Sequence, residues 1–138
     1  MPVTFWAWRR VHLAATYSLA VIAVVHSGLT FHFYSQWTPD AVWFLGTGLG
    51  LFLLAGINRG HIGLGPCDMP TAPIVLGGNV LFAVFGVGAV IAIPEPQAYA
   101  VLACLVVQAA AAHFTLRTPS GSSSEAAEVD VAGFHSGQ

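Results

Sequence analysis

Residues 11–39 read VHLAATYSLAVIAVVHSGLTFHFYSQWTP, with no aspartate, glutamate, lysine or arginine among them. A helix needs about 20 apolar residues to cross the hydrocarbon core of a bilayer, so this stretch alone is long enough for one crossing. Outward from it, three more runs are free of charge, 41–58, 69–94 and 96–116, each about 17 residues or longer. Of the 138 residues, 56% are apolar and 7% charged, against roughly a quarter charged in a soluble domain. A water-soluble globule could not cover its surface with that composition.

A closed barrel would need segments of about ten residues alternating apolar and polar. These runs are longer and apolar all round, which predicts an all-α protein, a membrane bundle of four transmembrane helices. The expected spans are 8–33, 39–57, 73–93 and 97–116. Residues 1–118 form one membrane domain. The segment 119–138, rich in serine and glycine and carrying Glu125, Glu128 and Asp130, lacks the apolar mass to fold and is expected to be a disordered cytoplasmic tail. Thr38, Pro39 and Asp40 read as an N-cap, a first-turn proline and a carboxylate favoured by the helix dipole. The loop from Asn58 to Ala72, with Gly60, Gly63, Gly65, Pro66 and Pro70, is read as a connector too rich in glycine and proline for a helix. The short turn Pro94, Glu95, Pro96 makes helices 3 and 4 antiparallel neighbours.

All four basic residues are arginines. Arg9 and Arg10 precede helix 1, Arg59 follows helix 2 and Arg117 ends helix 4. An even number of crossings puts these places on one side, which the excess of positive charge marks as cytoplasmic. The expectation is an up-down antiparallel bundle with both termini in the cytoplasm, in a prokaryotic inner membrane. Trp6 and Trp8 at one interface, with Tyr34, Trp37, Trp43 and Tyr99 at the other, suit aromatic belts. Arg9 and Arg10 ahead of Leu13 to Val25 have the outline of a signal sequence, but no small-x-small site follows and three more spans do, so the segment reads as an uncleaved anchor. A net charge of -2 gives no ground for nucleic-acid binding.

Polar side chains inside membrane spans are candidate functional groups. Helix 1 places His12, Ala15, Thr16, Leu19, Ala23, His26 and Thr30 on one face, expected to look into the bundle, and Leu13, Val21, Val24 and Leu29 on the lipid side. His12 and His26 lie about 21 Å apart along the axis and about 40 degrees apart in direction. This spacing resembles that of diheme cytochromes b, in which one helix offers a ligand to each of two stacked haems. The resemblance covers helix 1 alone and departs in lacking paired histidines on a second helix. Each haem also needs a ligand from a second helix, and His113 on helix 4, level with His12, is the histidine placed for it, so the candidate haem b ligands are His12 and His113, with His26, which lacks such a partner, the weaker one. The competing reading puts His12 and His113 at headgroup level, their rings in water or bonded to a neighbouring carbonyl. His12, His61, Cys67 and His113 also share the cytoplasmic side and have the ligand types of a zinc or copper site, without metal-site spacing.

Asn79 and Gln108 fall at similar depth and are expected to bond to each other as structural glue. Gly46 and Gly50 form a Gly-x-x-x-Gly pair on helix 2, and Gly78 and Gly86 are packing candidates on helix 3. No nucleophile elbow, phosphate loop, paired carboxylates or zinc-protease helix is present, so no catalytic residue is assigned. The sequence favours a non-catalytic accessory or structural subunit, packed against itself or other subunits of a redox, respiratory or photosynthetic membrane complex, with lipid as its other partner. A haem or metal redox protein and a small-molecule carrier or channel are the alternatives.

Overall fold

The computed structural model describes the backbone of residues 3–64 and 71–117 and the side chains of 6–63 and 71–115. The elements are α1 (Val3–Phe33), α2 (Pro39–Leu64), α3 (Ala72–Ala92) and α4 (Pro96–Arg117). At 31, 26, 21 and 22 residues and about 1.5 Å per residue, all four reach across a core of roughly 30 Å. Each is long and apolar enough to cross a membrane. They point to an integral membrane protein, and large apolar side chains such as Val21, Phe31, Leu53, Val84 and Ile91 cover the outside of the bundle.

Thr38 does cap α2: its Oγ1 accepts the Ala41 N–H at 3.2 Å, and Asp40 sits in the first turn. The other end of α2 differs from expectation. The segment 58–64, read from its glycines as connector, is helical to Leu64. Glycine costs a helix about 1 kcal/mol per residue, but a backbone at the membrane boundary that leaves the helix loses internal hydrogen bonds worth more. The prolines at 66 and 70 come only afterwards; they, Cys67 and the tail 119–138 lie outside the described residues.

α1 packs along both α2 and α4, α4 packs along α3, and α2 meets α3 over a shorter length. The centre is apolar, with Leu19, Ala23, Leu51, Leu54, Ala55 and Leu105 packed together. Ala15, Ala111 and Ala112 are buried and let α1 and α4 come close: the Trp8 and Phe114 rings stack at 4.4 Å, and the Cys104 thiol donates to the Ala15 carbonyl at 3.5 Å. As its periodicity predicts, α1 buries His12, Ala15, Thr16, Leu19, Ala23 and Thr30, while Val21, Val24 and Leu29 face outward.

Glycines divide into two sets. A Cβ at Gly50 would touch Phe82, one at Gly78 would touch Leu54, and one at Gly86 would touch Leu102 and Leu105, all at 3.1 to 3.3 Å. Gly48 is tightest, since a Cβ there would run into the Ser27 hydroxyl and lie 3.1 Å from the Ser27 nitrogen and 3.2 Å from the Ala23 oxygen. Gly46, by contrast, has nothing within 4 Å of such a Cβ. The pair expected from spacing is thus split: Gly50 packs inside and Gly46 opens outward.

Candidate functional site: a buried polar layer

Each helix contributes a polar side chain with 0% exposure, His12 from α1, Asn58 from α2, Asn79 from α3 and Gln108 from α4. Contacts between α1 and α4 set the depth. Ala15 meets Cys104 and Trp8 meets Phe114, which brackets His12 opposite Gln108.

Asn58 is the hub. Its Nδ2 donates to the Leu54 carbonyl at 2.8 Å and to Asn79 Oδ1 at 2.9 Å, while its Oδ1 accepts from Asn79 Nδ2 at 2.9 Å. His12 Nε2 lies 2.8 Å from the same Oδ1. A carbonyl can only accept, so Leu54 fixes which end of the Asn58 amide is nitrogen; the oxygen then faces His12, and Nε2 must carry the proton. All four hydrogen-bonding positions of Asn58 are filled. In the neutral ring His12 Nδ1 is then a bare lone pair, and it has no partner among the described residues. Thr16 Oγ1 donates to the His12 carbonyl at 2.8 Å and closes the layer below.

The Asn79–Gln108 contact expected from depth is not formed. Asn79 pairs with Asn58 instead, and both amide atoms of Gln108 are without a partner among the described residues. The two misreadings have one cause: with Asn58 assigned to a connector, Asn79 had no amide within the membrane to meet except Gln108. Asn58 was legible in principle, because a span starting at Pro39 and about 20 residues long must run to residue 58.

The ring of His12 is sealed, not wet, and the carbonyl it bonds is a side-chain amide. His113 is half-buried with its ring edge-on to Phe114, centroids 5.7 Å apart. Iron ligation by His12 through Nε2 would first have to break the Asn58 bond, and Nδ1 is crowded by the Cβ of its own side chain. His26 stacks on Phe44 with centroids 3.8 Å apart. His61 Nδ1 lies 2.9 Å from Thr71 Oγ1, tying the end of α2 to the start of α3. Among the described residues no group of three His, Cys, Asp or Glu is placed to hold a metal ion; Cys67 is not among them.

A buried amide without partners costs about 1–3 kcal/mol. Gln108→Met, which keeps length and removes the polar atoms, is therefore expected to raise stability in detergent by about 1 kcal/mol, read as the midpoint of thermal unfolding. A clear loss of stability would mean that a water or another molecule completes the Gln108 amide.

No known family model matches the chain, and no curated protein or solved structure does.

Proposed function

We propose that this chain is a small non-catalytic subunit of a prokaryotic cytoplasmic membrane, an up-down antiparallel bundle with both termini inside, which packs against further transmembrane helices. The contacts Trp8–Phe114 with Ala15–Cys104, and Gly50–Phe82 with Asn58–Asn79, support the antiparallel arrangement. The arginines of the sequence support the orientation.

One observation carries the packing role. On α2, Gly46, Leu49, Leu53, Gly56 and Gly60 are all exposed and fall within an arc of about 80 degrees. The three glycines have no atom within 4 Å of a built Cβ. Gly56 and Gly60 are one helical turn apart, the small-x-x-x-small spacing that lets a second helix approach closely. Inside the bundle, meanwhile, His12 and both asparagines are bonded to one another, which makes them ties between helices. A solute carrier is the second reading, favoured by the interior Gln108 amide and His12 Nδ1, which have no partner among the described residues.

The test is purification in a mild detergent. The unmodified protein is expected to run as an oligomer or with companion membrane proteins, and the double variant Gly56→Leu, Gly60→Leu as a lone folded bundle of unchanged helicity. A wild-type protein that is already monomeric and indistinguishable from the variant would remove the proposal.

A further inference from the structure

On the outer surface of the bundle, at the end that holds Arg9, Arg10 and Arg59, an ordered polar pair bridges the groove between α1 and α2. Tyr17 on α1 is 55% exposed, and its hydroxyl accepts the Nε–H of the exposed Arg59 on α2 at 3.2 Å. Gly63, one turn further along α2, leaves room for the guanidinium: a Cβ there would lie 3.2 Å from Arg59 Nη1. The arginine head is thus held at two points, by a hydroxyl across the groove and against bare backbone on its own helix. Its Nη groups make no hydrogen bond or ion pair among the described residues. The Tyr17 oxygen spends a lone pair on Arg59 and keeps its own proton to donate. The pair is therefore a set of fixed donors, open to the outside, that lacks an acceptor.

Depth and charge say what that acceptor is. The bond between His12 and Asn58 sets Arg59 level with the turn of α1 around His12, about 6 Å deeper than Trp8. A guanidinium at this depth calls for a counter-charge, and the described carboxylates, Asp40 and Glu95, stand at the opposite end of the bundle. Arg10, seven residues before Tyr17 and so on the same stripe of α1, is exposed about 10 Å nearer the end and adds to the positive field. Towards the middle of the membrane the groove turns apolar. Val24 lies two turns beyond Tyr17 and Phe52 two turns beyond Arg59, each on the same stripe as its polar neighbour and each exposed.

We propose that the groove between α1 and α2 binds an anionic phospholipid, whose phosphodiester takes hydrogen bonds from the Arg59 guanidinium and the Tyr17 hydroxyl while an acyl chain lies along Val24 and Phe52. A guanidinium presents paired N–H donors that match two oxygens of one phosphate. A free phosphate would meet the same donors but leave the apolar half of the groove bare, so the occupant is a lipid. A zwitterionic lipid brings its own cation and leaves Arg10 and Arg59 less well neutralised, which favours a net negative headgroup.

The test is native mass spectrometry of the full-length protein released from detergent and titrated with dioleoylphosphatidylglycerol or dioleoylphosphatidylcholine. One phosphatidylglycerol is expected to bind about tenfold more tightly than the first phosphatidylcholine. Arg59→Gln should weaken it about tenfold, the worth of a charge-assisted hydrogen bond, and Tyr17→Phe about threefold. Arg10→Gln removes the same charge from the same end without touching the pair, and should cost about twofold, as expected of a screened charge roughly 10 Å away. All three side chains are exposed, and unchanged helicity verifies that each variant is folded. Equal binding of the two lipids would overturn the proposal, and so would a loss at Arg10→Gln as large as at Arg59→Gln, because either leaves only diffuse attraction between charges. sn-Glycerol 3-phosphate, an anion of the same kind without acyl chains, should leave the lipid bound; its displacing the lipid at similar concentration would make the site one for a free phosphate and overturn the lipid as occupant.

Discussion

Asn58→Leu will lower the stability of the bundle by about 2–5 kcal/mol, the largest loss expected from a single change in the polar layer. The estimate comes from three bonds between helices, one to His12 and two to Asn79, at about 0.6–1.7 kcal/mol each within a membrane. The cause is the orphans left behind, since His12 Nε2–H and the Asn79 amide would stay buried without partners. A sharper outcome follows for the double variant. Asn58→Leu with Asn79→Leu removes one of those orphans together with its partner, so it should be less destabilised than the sum of the two single changes. Unfolding in detergent, followed by helicity, gives both numbers. Simple additivity would mean that the two asparagines do not act as a pair.

Gly48→Leu is the second large effect, an expected loss of about 1–3 kcal/mol from overpacking. The Ser27 hydroxyl can rotate away, but the Ser27 nitrogen and the Ala23 oxygen, at 3.1 and 3.2 Å from a built Cβ, belong to the α1 backbone and can retreat only if the two helices separate. Gly46→Leu is the matched control, two positions away on the same helix and with open space around it. It should leave unfolding of the isolated bundle unchanged. Helix propensity favours leucine over glycine at both positions, so equal losses at the two would show that contact with α1 does not set the cost.

Much of this was legible in the amino acids. The inward face of α1 follows from a period of 3.6 residues, because small and polar side chains recur along one stripe from His12 to Thr30 while valines hold the other. The cap at Thr38 was equally clear, since hydroxyl, proline and carboxylate come in the order a helix start demands. Asn58 is hidden in the sequence because the glycines and prolines that follow it read as a connector, and the charge of Arg59 stands next to it. That arginine does not end the helix: it lies exposed on α2, and its Nε donates to the Tyr17 hydroxyl at 3.2 Å, carrying the charge outward on a long apolar stem. The choice of Asn79 for Asn58 over Gln108 depends on how α2 is rotated against α3, which no periodicity within one helix contains. The same holds for the glycines, where Gly46 and Gly50 share a sequence pattern and differ only in what stands opposite them.

The contact between α1 and α4 has a bearing on how the molecule is made. α1 leans on α4, three helices later in the chain, so this ring of four helices stays open until α4 has been made. During that interval His12 can reach Asn58 as soon as α2 is inserted, whereas the α4 wall beside it arrives only after α3. The order of synthesis thus makes the α1–α2 hairpin, stapled by one imidazole and one amide, the platform on which the later half assembles.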